Sequence, residues 1–227
     1  MKFEPKRHHR RSIRLKGYDY SSSGAYFVTI CVRNHECQFG EIRNEQMLLS
    51  PYGVIVQEEW LKSPSIRSEI LLDEFVIMPN HIHGIVLITD EPTGATGRSH
   101  SQNQSEPTGA TSQSPLLKRR RPRGPAQKSL SSFIAGFKAI TTKRINVARS
   151  TTGKSLWQRD YYEHIIRGPK SLAVIQNYIA TNVQQWALDN ENPYRTGEDK
   201  FKHWLESQGG RPVPLYGIPK NGTGRPY

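Results

Sequence analysis

His81, His83, Tyr178 and Asn182 have the residue types and the spacing for metal-assisted chemistry on a phosphate. Successive side chains of a β-strand alternate faces, so His81 and His83 project to one side and Ile82 to the other. Phe75-Val76-Ile77-Met78 precedes the pair and Gly84-Ile85-Val86-Leu87-Ile88 follows it, which reads as a central, well-fixed strand. Two imidazoles on such a strand make a rigid platform for a divalent metal. They read equally as two unrelated polar residues on a half-exposed face, because two ligands do not make a site.

A third ligand is available downstream. Tyr178 and Asn182 stand four residues apart on the helix expected after Ser171. They therefore stack on one side, about 40° apart around the axis. The helix carries Leu172, Ile175, Ile179, Val183 and Trp186 as an apolar stripe, and the pair lies at its edge. An Asn182 carbonyl would complete a His/His/Asn set that leaves positions for water and a phosphate oxygen. Nitrogen and oxygen donors without thiolate suit Mg²⁺ or Mn²⁺ better than a structural zinc. Tyr178 beside such a cation becomes a nucleophile with a more acidic phenol. The plainer reading is a helix-face tyrosine with its hydroxyl in water.

Other reactive residues compete less well. Tyr161, Tyr162 and His164 lie in Asp-Tyr-Tyr-Glu-His-Ile-Ile-Arg, a stretch with strand-like alternation. With Arg159 and Arg167 nearby it points to DNA or phosphate contact, or to sheet packing. Cys31 sits inside a strand as a buried, inert thiol, and Cys37 with His35 lacks zinc-ribbon spacing. No phosphate loop, dinucleotide fingerprint or nucleophile elbow occurs, so no nucleotide cofactor is expected.

The elements that must position these residues alternate between strand and helix. Ala25–Val32 reads as a strand, followed by Phe39–Ile42 and Gln46–Ser50 across an Arg43-Asn44-Glu45 turn. A helix follows Pro51, with Val54, Ile55, Glu58 and Leu61 at helical spacing and Pro64 as its stop. Ile70–Met78 and His81–Thr89 read as antiparallel strands joined at Pro79-Asn80. Behind a Ser129 cap, Leu130, Phe133, Ile134, Phe137 and Ile140 form a helical stripe. Ser155–Gln158 begins a short strand or turn.

Composition separates this core from its appendages. The 227 residues carry Lys plus Arg 32 against Asp plus Glu 20, a net charge of +12. That balance favours polyanionic partners, nucleic acid first. Residues 1–17 form a basic arm with Arg10, Arg11 and Arg14. Residues 91–128 are rich in Ser, Thr, Gly and Pro and contain Glu-Pro-Thr-Gly-Ala-Thr twice, as expected of a disordered insertion. The insertion ends in a basic run that includes Arg119 and Arg120. Residues 18–90 and 129–208 then form one domain, with 209–227 as a loose tail. Two cysteines and no apolar run of membrane length argue for a reducing cytoplasm and against a membrane partner.

Glu-Phe-Val-Ile-Met-Pro-Asn-His-Ile-His-Gly-Ile-Val resembles the motif of the HUH single-tyrosine transposases, most closely the REP-associated tyrosine transposases. Residues 10–32, Leu156–Arg167 and Asn177-Tyr178-Ile179-Ala180-Thr181-Asn182 are similar to the same group, and the motifs keep its order. The resemblance spans most of residues 10–189 apart from the insertion. It implies an α+β domain: a ferredoxin-like antiparallel sheet of four or five strands with helices on one face. By it, His81 and His83 match the metal-binding histidines, Tyr178 the nucleophile and Asn182 the third ligand, with Mg²⁺ or Mn²⁺ as cofactor. Val183 stands where the family commonly has Pro.

The implied activity is cleavage and rejoining of single-stranded DNA at REP-like hairpins through a 5′-phosphotyrosine. The protein would be a monomer or homodimer, cytoplasmic and associated with the nucleoid. Arg10, Arg11, Arg14, Arg119, Arg120, Arg159 and Arg167 are the expected DNA contacts. Two other classes remain open: a non-catalytic hairpin-binding protein that has lost mobility, and an RNA-binding sheet that would stack bases on Tyr26 or Phe27. Deleting residues 92–115 should leave thermal stability and metal-dependent cutting intact, because the segment has no apolar face. A large fall in Tm would contradict that expectation.

Overall fold

A computed structural model describes residues 22–89 and 126–208. The basic arm, nearly all of the insertion and the tail lie outside these residues, as do Arg10, Arg11, Arg14, Arg119 and Arg120. No helix among the described residues is long and apolar enough to cross a membrane.

The backbone follows the alternation of apolar runs. In chain order the elements are β1 (Gly24–Cys31), β2 (Gly40–Arg43), β3 (Gln46–Leu49), α1 (Pro51–Ile66), β4 (Ile70–Ile77) and β5 (His81–Ile88). After the insertion come α2 (Leu130–Ala148), β6 (Tyr162–Ile166), α3 (Pro169–Thr181) and α4 (Lys200–Ser207). Four strands form one antiparallel sheet in the order β4-β5-β1-β6. Each pair of parallel strands is bridged by a helix, α1 between β1 and β4 and α2 between β5 and β6, which is the ferredoxin-like topology. β2 and β3 pair separately, and the Asn44-Glu45 turn takes positive φ of 49° and 61°, as a tight hairpin turn requires.

β1 and β5 are the two central strands and are nearly continuously buried, so each side chain is committed to one of two cores. Tyr26, Val28 and Ile30 of β1 join Ile82, Val86 and Ile88 of β5 against α1 and α2, where Trp60, Phe133, Phe137 and Ile145 fill the layer. Ala25 and Phe27 join Ile85 and Ile166 against α3 and α4. Helices thus occupy both sides of the sheet. α1 and α2 form the expected helical layer; α3 and α4 cover the opposite face, the one that carries His81 and His83.

Three local expectations change. α1 buries Gly53, Val56, Glu59, Trp60 and Ser63, whereas Val54 and Leu61 are exposed. The neighbouring face wins because Trp60 supplies the largest apolar surface and Glu59 is paired with Arg144 at 2.7 Å. The helix also runs through Pro64 to Ile66, since a proline in the last turn forfeits a single hydrogen bond. At the other end of the sequence, α3 begins at Pro169 rather than Ser171, using proline at its first position.

Gly84, directly after His83, is required by packing. A Cβ there would lie 2.5 Å from Trp60 Cζ2, and the indole is fully buried. Gly84→Ala should destabilise the domain by about 1–3 kcal/mol through overpacking, measured as a lower urea midpoint. An unchanged midpoint would show that Trp60 can yield.

Candidate metal centre and tyrosine

His81 and His83 end up side by side because β5 alternates and β1 holds its register. Cys31 pairs with His81 and Thr29 with His83 across the strands. Both imidazoles are buried, with Nε2 atoms 3.0 Å apart. Each Nδ1 is already engaged. His81 Nδ1 lies 2.8 Å from Asn80 Oδ1, and His83 Nδ1 lies 2.9 Å from Thr29 Oγ1. The Asn80 amide cannot turn around, because its Nδ2 donates to the carbonyls of His35 (3.1 Å) and Glu191 (2.8 Å). Asn80 Oδ1 therefore accepts from His81 Nδ1–H, which leaves the His81 Nε2 lone pair bare and aimed at its neighbour.

A carboxylate completes the group. Asp189 follows the 3₁₀ turn Trp186–Leu188, and its Oδ2 lies 3.5 Å from His83 Nε2 and 3.8 Å from His81 Nε2. Its other oxygen, Oδ1, is taken by the Glu191 amide at 2.7 Å. His81, His83 and Asp189 are all buried, and their ligand atoms lie within 4.8 Å of one another. Sequence reasoning missed Asp189. It sits in an irregular segment with no periodicity to reveal its direction, and the run Asp189-Asn190-Glu191-Asn192 was the available signal.

Tyr178 and Asn182 converge on the same point. The Tyr178 hydroxyl donates to Asp189 Oδ2 at 3.2 Å and lies 3.3 Å from His83 Nε2. Asn182 is the residue just past α3, fully buried, and its Nδ2 donates to Asp189 Oδ2 at 3.0 Å. Its Oδ1 is buried with no hydrogen-bond partner. Tyr178 is inside the packed layer rather than at the edge of the stripe. Its ring stacks on Phe201 of α4 at 3.6 Å between centroids, and only 7% of the residue is exposed. A cavity of about 110 Å³ opens beside it, bordered by Phe27, Tyr162, Phe201, Lys202 and Glu206.

The donor set suits a divalent cation. The bare His81 Nε2 lone pair faces His83 Nε2, and a cation between the two rings would be bound by both once the Thr29 hydroxyl accepts from His83 Nδ1–H. A separation of 3.0 Å is also what adjacent ligands adopt at about 2.1 Å from one ion. The unpartnered Asn182 Oδ1 is a costly omission in a site without a cation. Electrostatics agree. Burial and the neighbouring His83 push His81 down to about 3, so it is neutral and able to bind metal. Burial works against ionising Asp189, yet the two imidazoles and the Asn182 amide hold its carboxyl well below the usual range. Burial and the Asp189 and Asp199 charges keep the Tyr178 phenol protonated.

The remaining candidates sit elsewhere. Tyr161 faces the α1–α2 core, 3.4 Å from Ser131 Oγ and with the Lys138 ammonium 5.6 Å from its ring. Tyr162 points to the opposite face, near Phe27 and the cavity. His164 is pushed down to about 4 by burial and by Arg167. Arg159 is exposed, whereas Arg167 is half-buried and donates to the Gln208 carbonyl, which ties it to the end of α4.

His81 makes the metal-stripped protein sensitive to acid. Its folded value of about 3 lies below the ordinary 6.5, so between those limits the unfolded chain binds the extra proton. Stability should fall as pH drops through that window, by up to about 1.4 kcal/mol per pH unit from this residue. His164 adds the same sign down to about 4. His81→Gln should flatten the plot of urea midpoint against pH; an unchanged slope would assign the proton uptake elsewhere.

Comparison with known proteins places this arrangement in context. No protein-family model matches the chain. A solved structure of a REP-associated tyrosine transposase bound to a REP hairpin is 19% identical, with a TM-score of 0.45, over 77% of this chain and 74% of that one. A candidate transposase from Deinococcus radiodurans R1 is 14% identical, with a TM-score of 0.37, over 74% of this chain and 95% of that one. An uncharacterized protein of Haemophilus influenzae is 39% identical over 182 residues, which cover 80% of this chain and 92% of that protein. The chain belongs to one family with the Haemophilus influenzae protein.

Proposed function

We propose that this protein is a transposase-type strand transferase that cuts and rejoins single-stranded DNA hairpins with Tyr178 as nucleophile. The observation that carries the reading is the convergence of the Tyr178 hydroxyl with the Nε2 atoms of His81 and His83 around one buried point. Tyr178 Oη attacks the phosphorus of a phosphodiester, the bond to the 3′-oxygen breaks, and a 5′-phosphotyrosine forms. The phenolic proton passes to solvent, and the departing 3′-oxygen takes one up from solvent to leave as a hydroxyl. In the second half a 3′-hydroxyl attacks the phosphotyrosine and releases Tyr178. The bond energy is kept in the covalent link, so no nucleotide cofactor is consumed.

His81 and His83 would hold Mg²⁺ or Mn²⁺ through Nε2, with Asp189 Oδ2 and Asn182 Oδ1 as the oxygen donors. A cation there supplies Lewis-acid polarisation of the scissile phosphate. Asn80 holds His81 in the tautomer that offers Nε2, the Thr29 hydroxyl can accept from His83 Nδ1–H so that His83 offers Nε2 as well, and Phe27 stacks on His83 at 5.4 Å. Phe201 covers the Tyr178 ring, so a DNA strand reaches the hydroxyl from the cavity side or after α4 shifts. The REP hairpin of the solved transposase supports hairpin DNA as the substrate class. With its net positive charge the chain would hold DNA chiefly through phosphate contacts, in the nucleoid.

Incubation with a panel of hairpin single-stranded DNAs and Mn²⁺ should give a covalent adduct. Tyr178→Phe should abolish adduct and cleavage with little change in stability, because the ring and its stacking remain. Tyr161→Phe and Tyr162→Phe should retain the adduct. Replacing both His81 and His83 by Ala should abolish cleavage while salt-sensitive DNA binding persists. An adduct mapped to Tyr161 or Tyr162 would move the active site, and binding without any adduct would favour the non-catalytic reading.

A further inference from the structure

We propose that Cys31, His35 and Glu191 form a second divalent-cation site, whose thiolate ligand makes it a site for zinc. The sequence gives no hint of it, since Cys31 and His35 have no zinc-ribbon spacing and Glu191 is far along the chain. The fold brings them together. Cys31 Sγ lies 3.3 Å and His35 Nδ1 3.4 Å from the same oxygen, Glu191 Oε2, and the three ligand atoms lie within 4.8 Å of one another. Tetrahedral zinc, with bonds of about 2.3 Å to sulfur and about 2.0–2.2 Å to nitrogen and oxygen, places neighbouring ligand atoms about 3.4–3.6 Å apart. The His35–Glu191 edge already has that length, and the Cys31–Glu191 edge is slightly shorter.

The ligands are held from behind. The Asn80 amide donates to the carbonyls of both His35 and Glu191, so one fully buried side chain sets the backbone of two ligands. Cys31 is fixed within β1, and its carbonyl accepts from the Gln158 amide at 2.9 Å. Asn34 and His35 take positive φ of 59° and 55°, turning the chain so that the imidazole comes back beside Cys31. His35 Nε2 is met by the Gln158 side chain at 2.8 Å, whereas Nδ1 is buried and makes no hydrogen bond. That nitrogen is the one aimed at Glu191.

The chemistry separates this site from its neighbour. His81, His83, Asp189 and Asn182 offer only nitrogen and oxygen, whereas Cys31 adds sulfur, which selects zinc over magnesium or manganese. His35 and Glu191 are partly exposed, giving an entry path and room for water in the fourth position. On binding, the thiol proton is released to solvent, the His35 proton resides on Nε2, and the Gln158 carbonyl turns to accept it. The site does not depend on the nuclease reading.

Cobalt(II) titration of the full chain reports on it, because only a thiolate ligand gives the near-ultraviolet sulfur-to-cobalt charge-transfer band. The background is Cys37→Ser, which removes the exposed second thiol. One equivalent of band should form and be displaced by zinc. It should persist when His81 and His83 are both Ala, vanish in Cys31→Ser, and require at least tenfold more cobalt in His35→Gln and Glu191→Gln. Circular dichroism checks that each variant folds. No band in the Cys37→Ser protein overturns the proposal, as does a band that survives Cys31→Ser, or one unchanged in both His35→Gln and Glu191→Gln. Loss of the band in the folded double-histidine variant would also overturn it, by showing a single shared site.

Discussion

The antiparallel register between β1 and β5 is the constraint from which the rest of the site follows. With Thr29 opposite His83 and Cys31 opposite His81, one face of the pair carries imidazoles, hydroxyl and thiol, and the other carries Ile30, Ile82 and Val28. A slip of one residue would drive both histidines into the aromatic layer around Trp60 and bring isoleucines to the metal centre. That slip is prohibited by burial on both faces. Gly84 adds a lock of its own, because it fits under the Trp60 indole only in the observed register.

Around this pair the protein has assembled donors more than it has assembled charge balance. His81 is held neutral, Asp189 is held ionised, and an Asn182 oxygen is buried without a donor. Such a group is poorly satisfied by itself and well satisfied by a cation. The same residues keep Tyr178 protonated, since burial and carboxylates both oppose its ionisation. The readiness of the site and the inertness of the phenol therefore have one electrostatic origin.

Asn80 ties this centre to the neighbouring thiol cluster. Its oxygen orients His81, and its nitrogen holds the backbone of His35 and Glu191. Asp189 and Glu191 are joined again through the Glu191 amide and Asp189 Oδ1. The segment from Asn182 to Asn192 is thus pinned to the central strands and the turn before β5 by polar contacts rather than by an apolar stripe. It is irregular, with two 3₁₀-like turns' worth of local hydrogen bonds, and still buries Asn182, Asp189 and Asn192.

What the sequence determined by itself was local. The β-branched and aromatic runs of β1, β4 and β5 and the helical stripes of α2 and α3 were legible because such runs and a 3.6-residue repeat are local signals. The shared side of His81 and His83 follows from strand alternation, and the proximity of Tyr178 to Asn182 from the helical repeat. α1 was read on the wrong face because its apolar residues surround more than one stripe, and Trp60 decided between them only once the sheet was there to receive it. Asp189, Glu191 and Asn80 belong to turns, where direction is set by hydrogen bonds to residues far away in sequence. Their roles, the burial of Tyr178 under Phe201 and the meeting of Cys31 with His35 and Glu191 were decided only by tertiary structure, because no local repeat encodes where an irregular segment folds back.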